Sequence, residues 1–212
     1  MNYLDYLRTD KFPHFWCSGC GNGIVLCAIA RAFEELDLTL ENTVVVTGIG
    51  CWGKADDYVR TNSFHGTHGR ALAFATGIKL ANPSLNVVVL MGDGDGITIG
   101  GNHFIHAARR NVDVTAILVN NFNYGMTGGQ YSGTTPEERI TTTSRYGHIE
   151  EGFDICAVAK AAGARYVARA STENPQQLKN LIRDGIKKQG FACIEAISPC
   201  PTHFGRNNGM RL

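Results

Sequence analysis

Apolar residues along the chain fall into two patterns, short uninterrupted runs and longer segments with helical spacing. The short runs hold mostly Val, Ile, Leu and Ala, and most of them end in a cluster of Gly, Pro, Asn or Ser. Runs of this length and composition are typical of strands that are buried on both faces. This pattern predicts strands at residues 43–47, 87–91, 114–119, 166–168 and 191–197.

The segments between these runs repeat apolar residues every three or four positions, as a helix with one buried face does. They predict helices at residues 23–36, 71–81, 99–109, 154–162 and 174–188. Thr67, Asp154 and Asn174 are candidate N-caps. The alternation of strand and helix predicts an α/β protein with a doubly wound, mostly parallel sheet. Ligands of such sheets bind at the carboxyl ends of the strands.

Three segments lie outside this alternation. Residues 1–15 are polar and aromatic, and we expect an arm on the surface or against a partner; residues 54–63 are polar and irregular. Residues 131–152 have no sustained period and predict a long loop, and loops of this length usually carry function or an interface. A single domain over residues 1–212 is the simplest division, since domains most often span ~100–200 residues.

Composition argues against several classes of protein. A net charge of +1 gives no support for binding to nucleic acid or to an anionic membrane. No apolar run approaches the ~20 residues of a spanning helix, and the N-terminus lacks a signal pattern, so we expect a cytoplasmic protein. The seven cysteines then favour core thiols, redox chemistry or metal ligation over a disulfide framework.

Polar turns follow two of the predicted strands. The first is Gly-Asp-Gly-Asp-Gly at residues 92–96, and the second is the pair Asn120-Asn121. Asp93 and Asn121 are therefore expected at the same edge of the sheet, where their oxygens and phosphate oxygens would suit Mg²⁺. Glycine turns beside helix N-termini supply N–H groups for phosphates. The alternative is a pair of ordinary turns with solvated polar tips.

Four cysteines lie in turns that contain Gly or Pro, namely Cys17, Cys20, Cys51 and Cys200. The last two follow strands and can reach the same sheet edge as Asp93 and Asn121. Four thiolates can bind Zn²⁺ or a [4Fe–4S] cluster, and spacing alone does not separate the two. A redox-active C-x-x-C pair and unligated thiols also remain open. The other cysteines lie in apolar segments and are expected to be structural: Cys27, Cys156 and Cys193.

Together these motifs resemble those of thiamine diphosphate (ThDP) enzymes, in which GDG and a downstream NN hold Mg²⁺ and the diphosphate. The longer strings GDGD and NYGMTGGQ (residues 123–130) are similar to the β subunits of 2-oxoacid:ferredoxin oxidoreductases. Those subunits also carry C-x-G-C-G, G-I-G-C and C-P-T, which match residues 17–21, 48–51 and 200–202. The resemblance extends from residue 14 to about residue 206, although the chain stops sooner after the last motif than most relatives do.

The resemblance implies a ThDP-binding fold and assigns roles to individual residues. Mg²⁺ would be held by Asp93, Asn121 and the backbone carbonyl of Asn123. The [4Fe–4S] cluster would be held by Cys17, Cys20, Cys51 and Cys200. The residues that would border the cofactor are Ile49, Gly50, Cys51, Trp52, His68, Gly92, Gly94, Asp95, Gly125 and Met126, with Gly94, Asp95, Gly125 and Met126 against the diphosphate. His65 and His68, in the string HGTHGR, are the catalytic candidates.

The resemblance also implies an activity. A 2-oxoacid would be oxidatively decarboxylated to an acyl-coenzyme A, and the electrons would pass through the cluster to ferredoxin. The string YGMTGGQ, with Gly128 where many relatives have Lys, favours 2-oxoglutarate. No activating glutamate is evident, and relatives obtain it from an α subunit, so we expect a hetero-oligomer. The alternatives are a non-redox ThDP decarboxylase or synthase subunit and a non-catalytic electron-transfer subunit.

Overall fold

A parallel sheet forms the centre of the protein, seen in a computed structural model that describes residues 1–210. The strands are β1 (Thr43–Thr47), β2 (Asn62–His65), β3 (Asn86–Gly92), β4 (Thr115–Asn120), β5 (Asn123–Tyr124), β6 (Gln130–Tyr131), β7 (Tyr166–Ser171) and β8 (Ala192–Ile197). Six of them lie in the order β2-β1-β3-β4-β8-β7, and every neighbouring pair is parallel. The remaining two, β5 and β6, form a small antiparallel hairpin.

Helices cover both faces of the sheet. They are α1 (Asn22–Glu35), α2 (Ala71–Ala81), α3 (Gly101–Arg109), α4 (Ile155–Ala161) and α5 (Pro175–Lys187). One face packs against α1 and α5, and the other against α2, α3 and α4. This arrangement confirms the predicted doubly wound α/β fold.

The central strands are apolar throughout because each face of the sheet has its own core. On β1, Val45 packs toward α1 and α5, whereas Val44 and Val46 pack toward the other helices. Every residue of β1 and β4 is buried. Burial on both faces removes the polar alternation of a surface strand, which is why the sequence shows uninterrupted apolar runs.

Two of the three expected N-caps are present. The Asp154 side chain accepts from the Ala157 amide at 3.0 Å, and that of Asn174 accepts from the Gln177 amide at 3.0 Å. The prediction for Thr67 is wrong, because α2 begins after Arg70 with no side-chain cap.

Several local features differ from the expectations. Residues 62–65 form an edge strand, although three of the four are polar, because all four are exposed and an edge strand needs no apolar run. The first residues are not a free arm, since Tyr6 and Leu7 are buried and the Tyr6 hydroxyl donates to the Leu38 carbonyl at 2.7 Å. Cys27 lies on the outer side of α1 and is exposed, so it is not a core thiol.

The order of the strands changes direction between β1 and β3. The chain leaves β1 toward β2 on one side, and it leaves β3 toward β4 on the other. Loops that diverge in this way open a crevice at the carboxyl ends of the two strands. Within residues 1–210, no helix is long and apolar enough to cross a membrane.

Candidate functional site

A pocket opens at this point of the sheet, between the loops that follow β1, β3 and β4. Its lining is Ile49, Gly50, Cys51, Trp52, His68, Gly92, Asp93, Gly94, Asp95, Val119, Asn121, Asn123, Tyr124, Gly125, Met126 and Thr127. Every residue that the resemblance assigns to the cofactor or to Mg²⁺ is in this set. His65 is not.

Three oxygen-bearing groups converge at one end of the pocket. The amide end of Asn121 lies 2.7 Å from the carbonyl oxygen of Asn123 and 3.2 Å from Oδ1 of Asp93. If the Asn121 amide nitrogen faces these two oxygens, it donates a hydrogen bond to each of them. If the amide oxygen faces them instead, three oxygens lie together and a cation would be needed to stabilise them. The two orientations differ by a turn of the amide group. The donor set fits a hard divalent cation such as Mg²⁺.

Two hydroxyl groups hold the carboxylate of Asp93, which is buried. Ser132 Oγ donates to Oδ2 at 2.5 Å, and Thr134 Oγ1 donates to the same oxygen at 2.7 Å. Burial raises the pKa of Asp93, and these two hydrogen bonds oppose that rise. Because both hydroxyls bind Oδ2, Oδ1 stays on the side of Asn121, where a metal ion would compensate the buried charge.

Asp95 is directed at the loops rather than at open pocket space. Its Oδ1 accepts from the Gly69 amide at 2.6 Å and from the Ile49 amide at 3.3 Å, and it lies 2.7 Å from Nδ1 of His68. Its Oδ2 is buried and has no partner in the described chain. A side chain at Gly48 would overlap this carboxylate, so the backbone there must be glycine. Burial raises the pKa of Asp95, and its donors oppose the rise.

The two candidate histidines have different surroundings. His68 lies on the pocket wall, with its side chain about one-third exposed, at 32%. His65 lies at the end of edge strand β2, where Nδ1 is 3.1 Å from Oδ2 of Asp56 and 3.0 Å from Oγ1 of Thr47. These contacts hold His65 outside the pocket lining, so only His68 fits the expected position.

The four turn cysteines lie close together beside the pocket. Burial, together with the neighbouring thiols of Cys20, Cys200 and Cys17, raises the pKa of Cys51 to about 12. Burial likewise raises the pKa of Cys20. All four are free thiols. Four free thiols gathered at one place beside the pocket offer the sulfur ligands of a metal centre, so this donor set fits one.

The unligated thiols are more widely spaced than the ligands of a bound zinc ion. A tetrahedral ion with Zn–S bonds of about 2.3 Å draws its thiolates to within about 3.8 Å of one another. In residues 1–210, no three of these thiols lie within 4.8 Å of one another. A cubane of four irons keeps its thiolates further apart, so the wider arrangement fits a [4Fe–4S] cluster.

Elsewhere in the fold, one group of possible ligands does lie within 4.8 Å of one another, but an arginine side chain is bound to two of its members. Asp154, Cys156 and Glu195 bring their ligand atoms within 4.8 Å. Arg169 donates to Asp154 at 2.5 Å and to the buried Glu195 at 2.7 Å. The Asn120 amide donates to Glu195 at 2.8 Å. This is a hydrogen-bonded ion-pair network that links β4, β8 and β7, not a metal site.

Comparison with known proteins identifies the family. Residues 46–196 match the family model described as thiamine pyrophosphate enzyme, C-terminal TPP binding domain. Over 99% of its length the chain is 54% identical to the 2-oxoglutarate synthase subunit KorB of Methanothermobacter marburgensis, covering 73% of that protein. The chain belongs to the β subunits of the 2-oxoacid:ferredoxin oxidoreductases. This confirms the resemblance seen in the motifs and the prediction of a ThDP-binding fold.

Two further members of the family agree with this. Subunit beta of 2-oxoacid:ferredoxin oxidoreductase 2 from Aeropyrum pernix is 43% identical over 95% of the chain and 65% of its own length. The solved 2-oxoglutarate:ferredoxin oxidoreductase from Magnetococcus marinus superposes with a TM-score of 0.92 at 40% identity, covering 95% of this chain and 69% of that one. That enzyme is described with 2-oxoglutarate, coenzyme A and succinyl-CoA bound.

Two residues of this β-subunit site belong to no recognisable sequence motif. Ser132 and Thr134 lie in the polar loop of residues 131–152, which has no periodicity. Their hydroxyls are buried against Asp93 only because the hairpin of β5 and β6 folds back over that residue. The long loop itself was the available signal, because a loop of that length usually has a function.

Proposed function

We propose that this chain is the cofactor-binding subunit of a 2-oxoglutarate:ferredoxin oxidoreductase. The complex would oxidatively decarboxylate 2-oxoglutarate, form an acyl-coenzyme A and reduce ferredoxin. The names of the relatives support the substrate, since those at 54–55% identity are 2-oxoglutarate synthase subunits. The 2-oxoglutarate and coenzyme A described in the solved Magnetococcus enzyme support the same reaction.

One observation carries the proposal: the loop after β4, which supplies two of the oxygen ligands, also lies against two of the turn cysteines. A Cβ at Gly125 would lie 3.5 Å from Cys51 Sγ and 3.7 Å from Cys200 Sγ. Two residues earlier, Asn123 contributes the carbonyl of the oxygen set, and its side-chain oxygen lies 3.8 Å from Cys200 Sγ. These are ordinary van der Waals distances, so the loop at Gly125 lies directly against both thiols. A decarboxylase without redox chemistry has no need for cysteines in this position.

Different residues of the chain would bind the metal ion, the diphosphate and the cluster. Asp93, Asn121 and the Asn123 carbonyl would hold Mg²⁺, and the glycine turns at residues 92–96 and 125–129 would accommodate the diphosphate. Cys17, Cys20, Cys51 and Cys200 would hold the cluster. When bound, ThDP supplies the carbanion chemistry that releases CO₂ from a 2-oxoacid, and the cluster accepts single electrons. Trp52, which is buried on the pocket wall, would help to exclude water.

A partner subunit is part of the proposal. ThDP needs a carboxylate at its aminopyrimidine ring, and no glutamate of the described residues lines the pocket. An α subunit would supply it, as the resemblance implies. Ferredoxin would accept the electrons from the cluster side of the site.

Anaerobic purification of the chain with its α partner, followed by iron, sulfide and ThDP analysis, tests the proposal. We expect about four irons and one ThDP per chain. ThDP without iron would instead support a non-redox decarboxylase, and iron without ThDP would support an electron carrier. Activity of this chain without any α partner would contradict the half-site assignment.

A substrate comparison tests the choice of oxoacid. Reduction of ferredoxin is measured with coenzyme A and, in turn, 2-oxoglutarate, pyruvate and a branched 2-oxoacid. We expect 2-oxoglutarate to give the highest kcat/KM. A clear preference for either of the others would overturn the substrate assignment and leave the cofactor assignment intact.

A further inference from the structure

Among the described residues that line the pocket, His68 is the only one whose side chain can carry a positive charge. Within residues 1–210 the lining contains Asp93 and Asp95 but neither Lys nor Arg, and Gly128 stands where many relatives have Lys. A 2-oxoacid brings a carboxylate and a carbonyl oxygen next to each other. An anionic ligand in a pocket with two buried acids needs a hydrogen-bond donor, and this chain offers one at His68.

The orientation of the His68 ring is fixed from one side. Its Nδ1 lies 2.7 Å from Oδ1 of Asp95, a carboxylate that is only 1% exposed. A carboxylate accepts and does not donate, so Nδ1 carries the proton of this bond. The other ring nitrogen, Nε2, has no protein partner in the described chain and is left for a ligand. The edge of the ring also meets Tyr124, with ring centroids 6.1 Å apart.

Asp95 is itself held by the backbone of two loops. The Gly69 amide belongs to the loop before α2, and the Ile49 amide belongs to the loop after β1 that also carries Cys51. A carboxylate anchored by backbone amides cannot follow the ring if it rotates. This is the arrangement in which a carboxylate orients an imidazole and stabilises its charged form.

We propose that Asp95 is a positioning residue that holds His68 so that its Nε2–H donates to an anionic oxygen of the bound 2-oxoacid. The role assigned to Asp95 by the resemblance, contact with the diphosphate, is replaced by this one. The inference rests on the proposed function, because it takes a 2-oxoacid as the ligand.

Two single variants and their combination test the proposal in the complex with the α subunit. Asp95→Asn keeps the size of the side chain and removes its charge, and His68→Gln removes the imidazole. We expect each to lower kcat/KM for 2-oxoglutarate by roughly 10- to 100-fold, the range found when a group that orients a ligand is lost. We expect iron and ThDP contents to stay at the wild-type level. The double variant should lose no more than the worse single variant, because both act through one ring nitrogen.

A matched control comes from the other histidine–aspartate pair. Asp56 faces His65 at 3.1 Å outside the pocket, and Asp56→Asn should leave kcat/KM within about twofold of wild type. His68→Ala supplies a second readout, since added imidazole should restore part of its activity. The same addition should restore nothing in Asp95→Asn, which still has its ring.

Three results would overturn the inference. The first is a double variant whose loss equals the product of the single losses. The second is a lowered ThDP content in Asp95→Asn with an unchanged kcat/KM at saturating cofactor, which would return Asp95 to the diphosphate. The third is a set of variants as active as wild type. Failure of the proposed function looks different, because wild type itself would then lack ThDP, iron or activity.

Discussion

The hydrogen bonds from Ser132 and Thr134 to Asp93 make a prediction about metal affinity. Each is a hydroxyl donating to a buried carboxylate, and a hydrogen bond to a charged group contributes about 1.5–3 kcal/mol. Taking the lower figure, loss of one donor corresponds to roughly tenfold in affinity, and loss of both, about 3 kcal/mol, to roughly 150-fold. We therefore expect Ser132→Ala to weaken Mg²⁺ binding by about tenfold and the double variant with Thr134→Val by about 150-fold.

The measurement is the Mg²⁺ concentration that half-saturates activity at fixed ThDP, with direct Mn²⁺ binding as a readout independent of turnover. Loss of the hydroxyls raises the pKa of Asp93 further, so a proton competes better with the metal. The deficit should therefore grow as the pH falls and shrink as it rises. Ser144→Ala, in the same loop but bonded only within it, is the control. Equal losses in Ser144→Ala and the double variant, or a deficit that grows with pH, would refute the reasoning.

Three other substitutions have defined outcomes. Cys20→Ser should lower the iron content of the anaerobically purified complex by at least half. Cys27→Ser, a change on the exposed side of α1, should leave the iron content unchanged. Equal iron contents in the two variants would exclude Cys20 as a ligand. Gly48→Ala should lower kcat/KM for 2-oxoglutarate, because its methyl group would displace the buried carboxylate of Asp95 that holds His68, and an unchanged kcat/KM would contradict this. Arg169→Leu should lower the melting temperature of the complex by about 4–8 °C. The variant leaves the buried Glu195 without its cation, which costs about 2 kcal/mol of folding free energy after allowance for the exposure of the arginine. An unchanged melting temperature would show that the ion pair contributes nothing to stability.

Much of the fold could be predicted because the central strands are buried on both faces. Burial of this kind leaves an apolar run in the sequence, and the turns that end those runs carry the candidate ligands. Strand β2 was missed for the opposite reason, since its four residues, three of them polar, are exposed at the edge of the sheet. Nothing in such a segment distinguishes a strand from a loop until its neighbour is known.

The sequence predicted which residues line the candidate site, but it did not predict where their side chains point. The motifs placed Asp95 in the pocket lining, where the structure also has it. The Asp95 carboxylate turns toward His68 and the Gly69 amide because loops that follow three different strands pack against one another there. No local sequence pattern predicts how those loops pack. The separation of His65 from His68 has the same origin, because the partners of His65 come from its own edge of the sheet.

The indole of Trp16 holds two of the cysteine turns together by packing and hydrogen bonding, without any metal. Its Nε1 donates to the Cys51 carbonyl at 2.5 Å, and its ring packs between Trp52 and Tyr58. This contact joins the first cysteine turn to the second through the protein core. In a zinc finger the metal provides the free energy of folding, but here packing has already brought the turns together. Binding of the proposed cluster would then occur in a preorganised site, and its binding free energy would be left for affinity and for tuning the reduction potential.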